Sequence, residues 1–412
     1  MRTAFRDEQL ADPHLKEAEH ALRTCVHCGF CTATCPTYLV LGDERDSPRG
    51  RIMLMQNMLE SAKRPTRETV RHLDRCLSCL GCRTTCPSGV DYSALIDTSR
   101  LHIAKHYRRP LFQRIFRGFV LYVLMRPRLF GFLSGLARIF GGVLPGKLGA
   151  MARKAGRRPR RKNRMRFVVR TSPEAPKVLL LGGCAQRSLA PEIDQAAIRV
   201  LARRDVKTET EPLCCGALAY HMGDATTAKR CAKEVIKAFE QSRADALTMT
   251  ASGCVAFLKD YGRVFAGEAK WAERAAAVAA KVEDFSELAD APRKPIEDAA
   301  ARDLTIAYHP PCSLQHGQRI IGRGEQLLKD AGFKLVPIPD AHLCCGSAGS
   351  YSLLQPKIAE QLRERKLAAI RSTGANVIAS GNIGCLSQLS GELPTVHIAE
   401  LLDWAAGGPK PV

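Results

Sequence analysis

The chain of 412 residues reads as an α+β multidomain protein, all-helical at its N-terminus and built from a duplicated α/β unit at its C-terminus. Three observations predict this. Two cysteine runs of identical spacing stand near the N-terminus, and the forty residues between them (Pro36 to Arg75) carry helical rather than strand periodicity. Four further cysteines recur as a set in the C-terminal half at near-constant offsets. Around that set, short apolar runs alternate with longer amphipathic ones, the pattern of βα units on a parallel sheet.

Residues 1–24 form a lead-in with a short helix around Glu17–Leu22. The first run follows as Cys25-Val-His-Cys28-Gly-Phe-Cys31-Thr-Ala-Thr-Cys35-Pro36, and the second as Cys76-Leu-Ser-Cys79-Leu-Gly-Cys82-Arg-Thr-Thr-Cys86-Pro87. Three cysteines at every third residue, a fourth after three more and then a proline are the ligand spacing of bacterial two-cluster ferredoxins. A cubane cluster needs four thiolates around a compact object. A tight loop presents three, and the cysteine before proline serves the other cluster. Cys25, Cys28, Cys31 and Cys86 are therefore assigned to one [4Fe–4S] cluster, and Cys76, Cys79, Cys82 and Cys35 to a second. Gly29 and Gly81 fall where the backbone passes close to the clusters.

Zinc sites pair CxxC units across longer gaps and have no use for a third cysteine at the same step. Residues 1–20 hold no apolar signal core, so a reducing cytosolic setting without disulfides is expected. Ser47-Pro48 opens a helix with the apolar stripe Ile52, Met55, Leu59. Arg67–Leu73 and Tyr92–Tyr107 read as helices too. Arg49 and Arg51 lie either near the clusters or on a solvated first turn.

A net charge of +21 suggests nucleic acid at first, but its distribution matters more. No acidic residue occurs between Asp97 and Glu174, and 19 Lys and Arg stand between Leu101 and Arg170, which leaves the rest of the chain nearly neutral. The apolar pieces Leu111–Phe116, Gly118–Met125, Leu129–Ala137 and Ile139–Leu144 are interrupted by Arg114, Arg117, Arg126, Arg128 and Arg138. The longest uncharged piece has nine residues, whereas a spanning helix needs about 20. This pattern predicts a segment that lies on a membrane surface or docks on a partner, with Arg157–Arg170 a polybasic tail for anionic headgroups. Aromatics do not alternate with bases in a stacking pattern, so no nucleic-acid partner is expected.

The C-terminal repeat is carried by Cys184, Cys214-Cys215-Gly216 and Cys254, matched by Cys312, Cys344-Cys345-Gly346 and Cys385, at offsets of 128, 130 and 131 residues. Lys177–Leu181, Ala246–Thr250, Leu304–Tyr308 and Asn376–Ala379 read as strands, each leading to a cysteine. Pro191–Arg203, Thr226–Gln241, Arg323–Ala331 and Pro356–Ser372 read as helices. Ligands bind outside the carboxyl ends of such strands, where these cysteines fall. His309 and His342 flank the second set and could ligate metal or move protons, whereas His221 reads as an ordinary hydrogen-bonded histidine. Cys231, whose offset leads to Gln361, reads as a small buried side chain.

The Cys-Cys-Gly repeats resemble the cysteine-rich (CCG) domains of the heterodisulfide reductase family. In that enzyme each repeat holds a non-cubane cluster on five cysteines, the last in a C-x-x-C pair. Phe257 and Gln388 stand where that pair would close, so a five-thiolate site is not expected. A four-thiolate cluster or a dithiol pair is. Cys312, Cys344, Cys345 and Cys385 are favoured over Cys184, Cys214, Cys215 and Cys254 as one further iron–sulfur site.

The order of parts resembles the iron–sulfur subunits of bacterial glycolate oxidase (glycolate dehydrogenase). The close local match runs from Leu22-Arg-Thr-Cys25 through Cys35-Pro-Thr-Tyr38, then Leu41-Gly-Asp43 and Asp46-Ser-Pro-Arg-Gly-Arg51. That resemblance implies an electron-transfer subunit of a membrane-associated 2-hydroxy-acid dehydrogenase. FAD-containing partner subunits would oxidise the substrate, and this chain would pass electrons to quinone at the cytoplasmic face of the inner membrane. Relatives serving D-lactate or anaerobic glycerol-3-phosphate oxidation are the alternative, with a metal-dependent nucleic-acid-binding protein a more distant one. No dinucleotide fingerprint appears, which assigns the flavin to a partner. The expected division is a helical ferredoxin-type domain over 1–107, the basic amphipathic segment over 108–172, and two CCG domains over 173–295 and 296–412.

Overall fold

The computed structural model describes residues 1–61, 64–140, 171–292, 298 and 303–411. The N-terminal domain is helical: α1 (Pro13–Thr24), α2 (Pro48–Ser61), α3 (Arg67–Asp74) and α4 (Tyr92–His106). Each begins where local chemistry satisfies its free N–H groups. Asp12 accepts from His14 N ahead of α1, Ser47 Oγ accepts from Gly50 N at 3.0 Å in α2, Thr66 caps α3 and Asp91 caps α4. Leu22, Met55, Leu59, Leu73, Leu95 and Ile96 fill the core between them, with Cys25 and Cys76 on its edge. Each such side chain contributes roughly 1.5–3 kcal/mol of burial free energy before conformational entropy is counted.

The basic segment begins as two helices, α5 (Leu111–Leu124) and α6 (Pro127–Phe140). One face of α5 is docked on its own chain. Val120 and Val123 are buried, Leu121 and Met125 pack on the first α/β core, and Arg109 forms a two-pronged ion pair with Asp74 at 2.5 and 2.9 Å. Ser188 Oγ donates to Pro127 O at 2.5 Å at the start of α6. The opposite face of α5 carries Leu111, Phe112, Ile115, Phe119 and Tyr122 to solvent, and α6 adds Phe132 and Leu136. No helix among the described residues is long and apolar enough to cross a membrane. The polybasic stretch Arg157–Arg170 lies outside the described residues.

Two parallel sheets follow. The first is ordered β2 (Lys207–Glu211), β1 (Lys177–Leu181), β3 (Ala246–Thr248), and the second β5 (Lys334–Val336), β4 (Thr305–Tyr308), β6 (Val377–Ser380), β7 (Thr395–His397). An isolated bridge between Leu247 and Val282 stands where the second sheet has β7. The helices α7 (Pro191–Ala202), α8 (Ala225–Ser242), α9 (Arg323–Asp330), α10 (Pro356–Arg371) and α11 (Ile398–Ala405) flank the sheets. The edge strands β2 and β5 escape the apolar-run criterion, because Lys-Thr-Glu-Thr-Glu and Lys-Leu-Val are largely open to solvent.

The repeats interlock. Ala196, Ala197, Val200 and Leu201 of α7 share a core with Leu401, Leu402 and Trp404 of α11, while Leu327 and Leu328 of α9 share it with Phe285 and Ala289 of the first copy. Arg199 and Arg203 close the same contact on buried Asp403, at 2.6 and 2.7 Å. Both repeats also hold the helical domain. Arg263 reaches Asp91 at 3.0 Å, Tyr351 Oη donates to Arg75 O at 3.1 Å, and His316 Nδ1 lies 2.7 Å from Thr84 Oγ1.

Candidate metal centres

The first cysteine run folds over the N-terminus of α2. Cys25, Cys28, Cys31 and Cys86 surround one cavity of about 30 Å³, with Cys82 on its far wall. Cys28 is exposed, as are its neighbours Val26 and Phe30, so this centre lies at the surface. The chain turns sharply here: His27 and Gly29 have φ of 56 and 86°, and their counterparts Ser78 and Leu80 have 52 and 60°. The left-handed position in the second run therefore falls on Leu80, not on Gly81. Gly81 instead allows the loop to pass Thr34 O, which a Cβ would meet at 3.3 Å.

Burial first, then the sulfurs of Cys79, Cys76, Cys35 and Cys31, hold the Cys82 thiol up, so Cys35 lies close to the second run and the two runs close to each other. Burial also pushes Cys31 up to about 11. Such thiols resist ionisation on their own, and clustering makes each harder to ionise. A bound cation reverses that balance, because its ligands are thiolates. The all-sulfur donor set of these two runs fits iron–sulfur clusters.

Arg51 lies beside Cys35, and the solvated alternative fails. Its guanidinium is buried and donates to His72 O at 2.8 Å, Thr37 Oγ1 at 3.0 Å and Cys35 Sγ at 3.9 Å, while pairing with Asp46 at 3.2 Å. Arg75 pairs with the same buried carboxylate at 2.7 Å, and His72 Nδ1 stands 3.0 Å from it without a hydrogen bond. Arg49 lies across Gly29 beside the first centre.

In the second repeat Cys312 Sγ and Cys344 Sγ are 3.9 Å apart, and donor atoms of His309, Cys345 and Cys385 lie within 4.8 Å of one another. Cys312 first and Cys345 second push the Cys344 pKa up, while the adjacent Cys344 thiol draws that of Cys345 well down. Cys79 of the helical domain has Cys312 as its foremost charged neighbour, so the second ferredoxin loop abuts this repeat. His342 is exposed and stands outside the group; only its carbonyl is used, by His316 Nε2 at 3.0 Å.

In the first repeat a fifth cysteine stands beside the four expected: Cys184, Cys215 and Cys231 are the groups that push the Cys214 pKa up, and Cys214 and Cys254 those that draw Cys215 down. Cys231 is buried, as expected of a small side chain, and it also neighbours Cys214. Its counterpart is Leu362 rather than Gln361, because Gly216 seats against Ala228 and Cys231 as Gly346 does against Ala359 and Leu362. His221 Nδ1 stands 3.5 Å from Asp97 without a hydrogen bond, so it is not the hydrogen-bonded histidine expected; its ring packs against Phe257 and Tyr220 and lines the same cavity as Cys214 and Cys215.

A cavity of about 790 Å³ opens between the helical domain, both repeats and α5–α6. Cys76, Cys184, Cys254, Cys312 and Cys385 reach its wall, and Phe119, Val123 and Leu133 close the side toward α5 and α6.

Residues 21–90 match the family model described as a 4Fe-4S dicluster domain, and residues 178–259 and 306–390 each match the one described as a cysteine-rich domain, CCG. The glycolate oxidase iron-sulfur subunit of Escherichia coli (strain K12) is 40% identical over 417 residues, spanning 98% of this chain and 99% of that protein. The probable glycolate oxidase iron-sulfur subunit of Bacillus subtilis (strain 168) is 33% identical, spanning 94% and 95%. Lactate utilization protein A of Exiguobacterium sp. (strain ATCC BAA-1283 / AT1b) is 30% identical over 55% of this chain and 97% of that protein. In fold, the chain is similar to a solved hypothetical protein from Helicobacter pylori, with a TM-score of 0.52 at 10% identity over 97% of this chain and 73% of that one. With a helical dicluster domain, two cysteine-rich repeats in parallel sheets and near-complete alignment to both subunits, the chain belongs to the family of glycolate oxidase iron–sulfur subunits.

Proposed function

We propose that this chain is the electron-transfer subunit of a membrane-associated glycolate dehydrogenase, relaying electrons from an FAD-containing partner to quinone. Residues 1–107 hold two [4Fe–4S] clusters, one on Cys25, Cys28, Cys31 and Cys86 and one on Cys76, Cys79, Cys82 and Cys35. These clusters supply one-electron carriers when bound. The first lies at the exposed loop of Val26 and Phe30, where a flavin subunit can approach. The second adjoins Cys312. The cysteines of residues 173–295 and 296–412 hold further iron–sulfur groups. Residues 108–172 rest on the cytoplasmic face of the inner membrane, with the exposed Leu111, Phe112 and Ile115 turned to lipid. Oxidation of the hydroxy acid occurs on the partner.

The observation that carries this reading is the cavity of about 790 Å³, which joins both cysteine sets to the inner side of α5 and α6. Part of it is the room beside the cysteines that their iron–sulfur groups would take; the remainder, walled by Phe119, Val123 and Leu133, is apolar, as a quinone ring requires. Leu133→Trp fills it from α6. The variant complex should lose most quinone-analogue reduction while keeping its iron and its reduction of a soluble dye. Equal loss of both activities, or of neither, refutes the assignment.

A further inference from the structure

The two repeats are not equivalent as metal sites, and the difference is reciprocal. Three residues before Cys312 stands His309; three before Cys184 stands Leu181. One helical face beyond the Cys-Cys-Gly turn, the first repeat has Cys231 where the second has Leu362. Each repeat thus carries one donor beyond its four shared cysteines, from a different element, and the other repeat fills that place with leucine.

His309 is placed by the backbone. Its N–H donates to Ala379 O at 2.8 Å, and its carbonyl accepts from Ser380 Oγ at 2.8 Å, so the end of β4 is pinned to β6. The side chain is 1% exposed, and its ring nitrogens find no oxygen or nitrogen partner; the polar group beside the ring is the Cys345 sulfur. What the ring faces is sulfur: a ring nitrogen, Cys345 Sγ and Cys385 Sγ fall within 4.8 Å of one another. Cys231 lies in α8, buried, with its thiol on Cys214.

We infer that His309 is a ligand of the metal centre in the second repeat and Cys231 a ligand of the centre in the first. The first centre is then held by five cysteines and the second by four cysteines and an imidazole. This rests on the reading that the repeats bind iron–sulfur groups. Imidazole is neutral where thiolate is charged, so the second centre carries less negative charge and is the more easily reduced, as when histidines replace cysteines in Rieske centres. Of the two repeats, the second is then the better electron acceptor, and it is the one whose Cys312 neighbours Cys79.

The test uses the full-length holoprotein labelled with ¹⁵N-histidine. Pulsed EPR should show a strongly coupled nitrogen that changes with the label and disappears in His309→Ala and in His309→Cys. His309→Cys should keep its iron and lower the midpoint potential of one centre. Cys231→Ala should lose or convert the other centre, whereas a space-filling cysteine would leave it unchanged. Iron well above the eight atoms of two cubanes, with no strongly coupled nitrogen or with one that survives both His309 variants, overturns the His309 assignment and leaves the iron reading intact. Wild-type iron in Cys231→Ala, with an unaltered spectrum, overturns the Cys231 assignment. About eight irons in the wild type, unchanged by Cys344→Ser and Cys214→Ser, overturns both assignments together with the reading beneath them.

Discussion

Replacing Gly346 by alanine would put a Cβ 2.7 Å from Ala359 O and 3.0 Å from Leu362 Cβ, at a φ of +87°. Two penalties add. A side chain in the left-handed region costs about 1 kcal/mol. Forcing the turn off α10 costs about 1–3 kcal/mol more, the range for overpacking. Gly374 separates them, because its φ is +68° but nothing lies within 4 Å of its added Cβ. For a unit of 150–250 residues, 1 kcal/mol moves the thermal midpoint by about 3 °C. Gly374→Ala should therefore lower the melting temperature of the holoprotein by about 3 °C, and Gly346→Ala by roughly 6–12 °C on the same scale. Gly346→Ala should also lower iron content, since Cys344 and Cys345 move with the turn. Equal shifts for the two variants would show that the turn is not seated on α10 as described.

Arg51→Met leaves buried Asp46 paired with Arg75 alone, with His72 beside it, and breaking a buried pair costs about 3–5 kcal/mol. An unchanged melting temperature would mean that Arg75 suffices. Asp284 is buried between the repeats, where its carboxylate accepts from Gln318 and Ser286, and burial raises its pKa. Folding therefore favours the protonated form, and the stability it adds below the unfolded pKa is lost as pH rises through the folded one. Asp284→Asn should gain on the wild type between pH 4 and 7, and parallel melting curves over that range count against this. Phe112→Ser with Ile115→Ser should weaken sedimentation with anionic vesicles about tenfold or more, on the scale of apolar burial, with iron content unchanged. Unaltered sedimentation would assign that face to a partner protein.

The helical domain was legible because its signals are local. Cysteine spacing, the caps of α2 and α4 and the stripe Ile52, Met55, Leu59 each lie within one turn or loop. The repeat was legible for the same reason, since Cys184, Cys254, Cys312 and Cys385 follow apolar strands and Cys-Cys-Gly recurs as a tripeptide. What escaped depends on relations between distant segments. Helical periodicity cannot show that Arg51 is enclosed by Thr37, Asp46 and His72. The true partner of Cys231 is hidden because loop lengths change the offset along the repeat, from 128 residues at Cys184 to 131 at Cys254. The strands β2 and β5 escaped because one side of each meets solvent.

The exchange of helices between the repeats bears on how this half of the chain comes apart. Neither copy contains its own complete interior: α7 of the first closes over α11 of the second, and α9 of the second meets Phe285 of the first. Partial opening of one copy exposes leucines of the other, so the intermediate with one copy melted is costly. The pair should exchange its slowest amide hydrogens as a single cooperative block. Deleting either copy leaves a fragment whose exposed apolar surface favours aggregation over folding. Duplication here has produced one folding unit with two metal-site pockets.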